Sequence, residues 1–208
     1  MELASEFTSA AAWLNETFYS FDHYWLHFWH QIAQEYGGIL TPFMKLISLL
    51  GKGGIFMILL SLTLCIFKKT RLAGITMLIA LAIGAVFTNL ILKNMIARPR
   101  PYDTTAEFRM WWQAVGGALM SDASFPSGHT TVAADSMTVL FLRTRKPGLK
   151  VLAVLFPIIM MISRVYLAVH YPSDVLAGLV IGITAGILSC YLINHMPPAW
   201  QQRMGIAS

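Results

Sequence analysis

Polar side chains that can do chemistry fall into three short clusters of the sequence. The first occupies residues 93–101, the second residues 125–129 and the third residues 163–174. The cations of these clusters are Lys93, Arg98, Arg100 and Arg164. Guanidinium and ammonium groups are the side chains that bind phosphate oxygens most effectively. The clusters together therefore predict a site for a phosphate-like anion.

The second and third clusters add a helix terminus and groups for proton transfer. Ser127 and Gly128 begin a predicted helix, whose free backbone N–H groups and positive dipole end attract an anion. His129, His170 and Asp174 supply a nucleophile, an acid and a group that orients an imidazole. No Asp/Glu cluster typical of Mg²⁺ sites lies nearby in the sequence, so we expect no metal and no other cofactor.

Each cluster also has a purely structural interpretation. Lysine and arginine at the end of a membrane span often anchor it at the interface. Ser-Gly-His at a helix start is often a cap, Asp174 can cap the last helix, and His170 can be an interfacial histidine. Because the three clusters occur together, at span ends predicted to share one face, the functional interpretation is favoured.

The spacing within the clusters resembles the signatures of the type 2 phosphatidic acid phosphatase superfamily. These signatures are Lys-x6-Arg-Pro, Pro-Ser-Gly-His and Ser-Arg-x5-His-x3-Asp. They fall here on Lys93, Arg100 and Pro101, on Pro126, Ser127, Gly128 and His129, and on Ser163, Arg164, His170 and Asp174. The superfamily includes lipid phosphate phosphatases, bacterial polyprenyl pyrophosphate phosphatases and vanadium haloperoxidases.

The resemblance implies a role for each matching residue. His170 would attack phosphorus to form a phosphohistidine, and Asp174 would orient its imidazole. His129 would protonate the leaving oxygen and then activate water. The implied phosphate-binding residues are Lys93, Arg100, Ser127, Gly128 and Arg164, with Arg98 as an auxiliary residue. The implied fold is a helical bundle with its site at the membrane surface.

The implied function is hydrolysis of a lipid phosphate or diphosphate, with undecaprenyl diphosphate as the favoured substrate. Phosphatidylglycerophosphate and phosphatidic acid remain alternative substrates. A lipid-to-lipid phosphotransferase and a non-catalytic lipid-binding protein remain alternative functions. Haloperoxidase activity is disfavoured, because those enzymes resemble soluble proteins and this composition does not.

The composition is that of an integral membrane protein. The chain of 208 residues is 56% hydrophobic and 12% charged, whereas soluble domains contain about 25% charged residues. The expected partners are the bilayer and a lipid phosphate. Nucleic acid is not expected, because the basic residues form two short runs and not a continuous stripe. The length favours a single domain over residues 1–208 and leaves the oligomeric state open.

The elements that must position the clusters are predicted to be membrane-spanning helices. We expect an all-α membrane bundle with about five spans, at residues 53–67, 72–92, 130–142, 151–169 and 175–193. The span at 130–142 is short and carries Asp135, so it requires shielding by the other helices. Asp135 is expected to hydrogen-bond a polar residue such as Asn89.

The basic runs predict the orientation of these spans. Residues 68–71 and 143–146 are expected in cytoplasmic loops. The acidic N-terminus, which contains Glu2 and Glu6, and the segments that carry the three clusters then lie outside. The sequence therefore predicts a multi-pass protein of the cell membrane with its active site on the outer face, and it has no signal-peptide pattern at the N-terminus.

Residues 21–36 predict an amphipathic helix. His23, His27 and His30 share one face, and aromatic residues occupy the other. An interfacial helix accounts for both faces, and a zinc site at the histidines is the alternative. We accordingly divide the chain into an interfacial region, residues 1–45, and a catalytic bundle, residues 46–195.

Three smaller features complete the predictions. Cys65 and Cys190 lie in apolar segments and are expected to be isolated thiols. Glycines at every fourth position of the last span, Gly178, Gly182 and Gly186, favour internal helix packing over a dimer contact. The connection at 102–125 either shapes headgroup choice or lies in the membrane interface, and both interpretations stay open.

Overall fold

The computed structural model describes residues 8–205, which form helices and contain no β-strand. The helices are α1 (Ser9–Thr17), α2 (Tyr19–Gly51), α3 (Ile55–Ile66), α4 (Arg71–Ala85), α5 (Lys93–Ile96), α6 (Pro101–Thr104), α7 (Ala106–Ala114), α8 (Gly128–Arg143), α9 (Pro147–Tyr166), α10 (Pro172–Asn194) and α11 (Pro198–Arg203). This confirms the predicted all-α class. Glu2 and Glu6 lie outside the described residues.

Four segments within residues 8–205 are long and apolar enough to cross a membrane. They are Tyr19–Ile66, Arg71–Thr104, Pro147–Tyr166 and Pro172–Asn194. The remaining predicted span, at 130–142, corresponds to α8, which has 16 residues and does not meet that length. The sequence predicted that this span is short. The position of α8 inside the bundle explains how its polar residues are tolerated.

Helix α8 is the central element of the bundle and packs against α4, α9 and α10. Asp135 and Ser136 are fully buried on it, as the shielding argument requires. A Cβ atom at Gly182 of α10 would lie 2.6 Å from the carbonyl oxygen of Thr131 of α8. Gly178 and Gly186 approach α8 just as closely. The glycine face of α10 therefore serves internal packing, as predicted.

Helix α2 differs from the predicted N-terminal region. Residues 21–36 are not a separate interfacial helix but the first half of the 33-residue helix Tyr19–Gly51. The predicted boundary at residue 45 falls inside this helix. The aromatic face does lie at the end of the bundle that carries the site, where Leu26 and Trp29 pack against Val165 and Tyr171.

The histidine face of α2 packs partly against α7, while His27 stays exposed. The His30 ring stacks on Trp111 at 4.1 Å between centroids, and His27 meets the same ring edge-on at 4.7 Å. His23 packs against Phe108 at 5.1 Å. The histidines therefore serve as flat packing surfaces, and no group of metal-ligating side chains occurs anywhere in residues 8–205.

Two breaks in helical geometry shape the cavity end of the bundle. Gly53 and Gly54 have φ angles of 60° and 69°, which only glycine adopts freely, and they separate α2 from α3. The two glycines therefore place a turn at the start of the predicted span at 53–67. Residues Val86–Leu92 form a π-helical segment at the end of α4, a distortion common at functional sites.

Two further predictions concern side chains inside the bundle. Cys65 and Cys190 are free thiols, as expected. The proposed partner of Asp135 was wrong: Ser136 donates to Asp135 Oδ1 at 3.0 Å, and Asn89 instead lines a cavity beside Gly128. Asp135 Oδ2 is buried without a hydrogen-bond partner among the described residues.

Candidate active site

The three clusters predicted from the sequence converge at one end of the bundle. His129 lies in the first turn of α8, Asp174 in the first turn of α10, and His170 in the connection between α9 and α10. Lys93 begins α5, and Arg100 precedes α6. A cavity of about 350 Å³, here called the catalytic cavity, is lined by Lys93, Arg100, Gly128, His129 and His170 and continues over apolar side chains of α3, α4 and α8.

The contacts of His170 determine which ring nitrogen carries its proton. Nε2 lies 3.2 Å from Nη1 of Arg100. Because a guanidinium only donates, Nε2 must accept, and the proton resides on Nδ1. Nδ1 lies 3.5 Å from Asp174 Oδ2 and 3.5 Å from Ser124 Oγ. Nε2 is therefore unprotonated, and its lone pair points at Arg100 on the edge of the catalytic cavity.

Asp174 is held by contacts on both of its oxygens. Oδ2 accepts a hydrogen bond from Ser124 Oγ at 2.5 Å and from the Tyr171 N–H at 2.9 Å. Oδ1 accepts from Arg98 Nη1 at 2.6 Å. The carboxylate is completely buried, so these contacts fix its orientation toward His170.

Arg98 does not line the catalytic cavity, although the sequence suggested an auxiliary role in binding phosphate. Its guanidinium is buried between Asp174 and Asp22 of α2, with Nη2 donating to Asp22 Oδ2 at 2.8 Å. Its Nε donates to Asn15 of α1 at 2.8 Å, and its plane covers the Tyr171 ring at 4.0 Å. Arg98 therefore supports Asp174 from behind the site.

Asp122 is a member of the site that the sequence analysis did not identify. Its carboxylate forms ion pairs with Lys93 and with Arg100, the latter at 2.7 Å. Burial opposes ionisation, but hydrogen bonds and charges from Lys93 and Arg100 outweigh it and lower the pKa of Asp122 to about 2. A carboxylate seven residues before His129 is visible in the sequence, but the signatures do not include it.

Ser124 is a second residue that the sequence analysis missed. Its hydroxyl lies between the His170 imidazole and the Asp174 carboxylate. Serine is common in the loops between helices, so its presence at position 124 did not by itself predict a role in the site. The position is evident only when the connection after α7 folds over α10.

Burial and nearby cations keep both histidines neutral in this state. Burial, followed by the charges of Arg100, Arg164 and Lys93, holds the pKa of His170 well below its ordinary value. Burial and the charge of Arg164 also lower the pKa of His129. A neutral His170 is the form that can act as a nucleophile.

The N-terminus of α8 offers backbone donors, which include the predicted N–H of Gly128 but not that of Ser127. The Ser127 N–H donates to the Asp174 carbonyl at 3.1 Å, and its Oγ accepts from the backbone of Thr130. Ser127 is therefore a helix cap whose N–H is occupied. Within residues 8–205 the N–H groups of Gly128 and His129 have no hydrogen-bond partner, so these are the donors available to an anion.

Arg164 lies beside the catalytic cavity, not in its lining. It is buried at the end of α9, where Nη1 donates to Ser48 and Nε has no hydrogen-bond partner among the described residues. It lines a neighbouring cavity of about 300 Å³ that also contains His129. The resemblance implied that Arg164 binds phosphate, and the structure places it next to His129 at the edge of the site.

This arrangement of residues matches a known sequence family. The sequence profile of the PAP2 superfamily matches residues 72–196, which include all of the site residues except those contributed by α1 and α2. The chain belongs to the PAP2 superfamily. Its helices and its relatives make it a multi-pass membrane protein of that superfamily.

Two curated relatives of the chain are named as undecaprenyl-diphosphatases. An undecaprenyl-diphosphatase of Sulfolobus acidocaldarius is 31% identical over 134 residues, which are 64% of this chain and 62% of that protein. Undecaprenyl-diphosphatase BcrC of Bacillus subtilis is 33% identical over 121 residues, which are 58% of this chain and 56% of that protein. The chain thus spans somewhat over half the length of these curated relatives.

Solved PAP2 structures have the same fold. A phosphatidylglycerolphosphate phosphatase from Bacillus subtilis superposes with a TM-score of 0.69 at 24% identity, covering 90% of this chain and 92% of that one. LpxE of Aquifex aeolicus superposes with a TM-score of 0.61 at 26% identity, covering 80% of this chain and 94% of that one. The helices that build the site therefore belong to an arrangement shared with these two proteins.

Proposed function

We propose that the protein hydrolyses the terminal phosphate of a membrane lipid diphosphate through a phosphohistidine, with undecaprenyl diphosphate as its substrate. The observation that carries this proposal is the His170 imidazole, whose unprotonated Nε2 faces a cavity lined by cations and free helix N–H groups. The names of the two undecaprenyl-diphosphatase relatives support the choice of lipid.

The first chemical step transfers the phosphoryl group to the protein. His170 Nε2 attacks the terminal phosphorus, and the bond from phosphorus to the bridging oxygen breaks. The electron pair leaves on that oxygen, which takes a proton from His129. Lys93, Arg100 and the N–H groups of Gly128 and His129 stabilise the negative charge on the transferring group.

The acid role of His129 follows from the charge of the substrate. Without substrate, burial and neighbouring cations disfavour the protonated imidazole. A bound diphosphate places negative charge beside the ring and raises its pKa, because an opposite charge favours the ionised form. The substrate therefore helps to create the acid that its own cleavage requires.

The second step regenerates the protein. Water attacks phosphorus and passes a proton to His129, while the phosphorus–nitrogen bond breaks and returns its electron pair to Nε2. Asp174 and Ser124 keep the Nδ1 proton in place through both steps and stabilise the positive charge that develops on the ring.

A phosphate-release panel tests this proposal. Purified protein in detergent is assayed with undecaprenyl diphosphate, phosphatidic acid and phosphatidylglycerophosphate, with and without EDTA and vanadate. We expect release from the diphosphate, persistence in EDTA and inhibition by vanadate, which forms a trigonal-bipyramidal adduct with His170. Activity lost in EDTA and restored by Mg²⁺ or Zn²⁺, or no release from any lipid phosphate, would overturn the proposal.

The site is proposed to face the outside of the cell membrane. The two basic segments, residues 68–71 and 143–146, lie at the helix ends opposite His129 and His170. Basic loops are retained in the cytoplasm, so the opposite end, with the site, faces outward.

A further inference from the structure

An apolar groove runs along the outside of the bundle, in the half that lies away from the catalytic cavity. This groove, here called the α9–α10 groove, has a volume of about 380 Å³. Helix α8 forms its floor, while α9 and α10 form its walls; both pack on α8 but contact each other much less. The floor includes Ala134 and Met137, and the walls include Val154, Ile158, Ile183 and Ile187.

The walls of the α9–α10 groove have the character of a surface that faces hydrocarbon. Val154 is 50% exposed and Ile187 is 52% exposed. Among the described residues that line the groove, Thr138 is the only polar one. In the hydrocarbon region of a bilayer such a groove is filled by apolar chains and not by water.

The α9–α10 groove ends at a lysine. Lys150 lies one turn before Val154 on α9, and its Nζ is 4.9 Å from the centroid of the Phe141 ring, which also lines the groove. Lys146 lies one turn earlier, where α9 begins, and is exposed. The first turn of α9 has neither an acidic residue nor a side-chain cap, so its dipole also favours a negative charge there.

No carboxylate balances the positive charge at this end of the bundle. Residues 136–173 and 175–208 contain no Asp or Glu. In the part of the chain that the structure describes, neither Lys146 nor Lys150 forms an ion pair. The mouth of the groove therefore offers two ammonium groups to a negatively charged partner.

An apolar groove with two free lysines at its mouth matches one kind of molecule in a bilayer. We propose that the α9–α10 groove binds an acyl chain of an anionic phospholipid, whose headgroup is held by Lys146 and Lys150. Lipid tails are as apolar as the groove, so the tail sets the position of the lipid and the lysines set its selectivity for negative charge. The inference is independent of the proposed function, because the groove lies at the opposite end of the bundle from His170.

A second copy of the chain is the other candidate for the α9–α10 groove, and the charges disfavour it. Two copies in one membrane share one orientation, so their basic ends lie at the same depth. Docking through the groove brings the lysines of one copy towards the basic end of the other, and like charges oppose that contact. A negatively charged lipid meets no such repulsion.

The test measures how two lipids that differ only in headgroup charge stabilise the purified protein in an uncharged detergent. Dioleoyl phosphatidylglycerol should raise the unfolding temperature at a lower concentration than dioleoyl phosphatidylcholine does. Each lysine near a lipid headgroup contributes about fivefold in affinity, so Lys146→Gln/Lys150→Gln should weaken the apparent affinity for phosphatidylglycerol by about 20- to 30-fold. The response to phosphatidylcholine should stay unchanged.

Matched controls separate the groove from general electrostatics and from surface changes on α9. Lys68→Gln/Lys69→Gln removes two charges from the connection between α3 and α4, at the same end of the bundle, and should keep the preference for phosphatidylglycerol. Val154→Trp fills the groove and should abolish that preference. Leu155→Trp, at a neighbouring position that is 48% exposed but outside the groove lining, should keep it.

Three results would overturn the inference. The first is equal stabilisation of the wild-type protein by both lipids. The second is an equal effect, or none, of the two lysine pairs, which would assign the lipid to general charge attraction or to the catalytic cavity. The third is a homodimer that Val154→Trp converts to monomers, which would assign the groove to a second copy. Because unfolding is the readout, the test does not depend on whether the protein hydrolyses a lipid phosphate.

Discussion

At the residue scale, the two histidines of the site have different surroundings. We therefore expect their alanine variants to lose activity with different dependence on the leaving group. His170 is oriented by Asp174 and Ser124 and faces Arg100, whereas His129 lines both the catalytic cavity and the neighbouring cavity beside Arg164. The first environment suits a nucleophile and the second suits an acid that serves a leaving group. This difference gives a prediction that separates the roles.

His129→Ala should lose less activity when the leaving group is acidic. General acid catalysis contributes about 100- to 10,000-fold for a poor leaving group such as an alkoxide. p-Nitrophenyl phosphate needs little protonation and should recover part of that loss, whereas His170→Ala should be inactive with every substrate. The rates of both variants are measured with an alkyl phosphate and with p-nitrophenyl phosphate; rescue of His170→Ala instead would mean that the roles are reversed.

Asp122 should compete with the substrate, because its carboxylate occupies the cations that bind phosphate. Asp122→Asn removes that competitor while preserving size, so KM and the inhibition constant of vanadate should fall by up to about tenfold, given the modest free energy of partly exposed ion pairs. Glu107→Gln, on exposed α7, is the matched control. An unchanged or higher KM would show that Asp122 assists binding and does not oppose it.

The neutral histidines should make the stability of the protein depend on pH. His170 and His129 have lowered pKa values when folded, so the unfolded chain binds more protons below its ordinary histidine pKa of about 6.5. Their stabilising contribution is fully present above that pH and is lost as the pH falls below it. The thermal unfolding temperatures of the wild-type protein and of His170→Gln should therefore converge at acidic pH. A difference between the two temperatures that does not change with pH would exclude this linkage for His170.

At the element scale, the structure joins helices that are far apart in sequence through a buried polar network. Asp22 of α2 accepts from Arg98 and from both the N–H and the hydroxyl of Ser173, at 2.7 to 2.8 Å. Arg98 in turn holds Asp174. The first half of α2 therefore positions active-site residues, although none of its side chains lines the catalytic cavity.

Asp22→Asn should lower kcat without changing KM, because Asp22 positions Asp174 through Arg98 and does not touch phosphate. We expect a decrease in kcat of roughly tenfold and a loss of unfolding free energy of about 1–3 kcal/mol. Asp103→Asn, which removes an exposed pairing with Arg109 at 3.7 Å, is the control and should change neither. A higher KM with unchanged kcat would place Asp22 in substrate binding instead.

At the scale of the whole molecule, the site and the basic loops lie at opposite ends of one bundle. Cysteine labelling tests the proposed orientation in a background that lacks Cys65 and Cys190. Glu107→Cys should react with a membrane-impermeant reagent on intact cells, since Glu107 is exposed beside the site. Gly148→Cys, where a Cβ meets no atom within 4 Å, should react only after the membrane is breached; the reverse pattern would place the site in the cytoplasm.

The sequence by itself determined the class of the molecule and predicted the residues proposed for its chemistry. Composition excludes a soluble bundle, and the spacing of the motifs places His129, His170 and Asp174 at the ends of helices. These inferences succeed because hydrophobicity and short-range spacing act locally, along a single helix or connection.

Only the tertiary structure decided which polar groups meet. Asp22 and Arg98 are 76 positions apart, and Arg164 bonds Ser48 across 116 positions. No local pattern encodes such pairs, because they depend on how α2 packs across α9 and on the turn that the two glycines make after it. The same packing turned the histidine face of α2 toward α7 and paired Asp122 with Lys93 and Arg100.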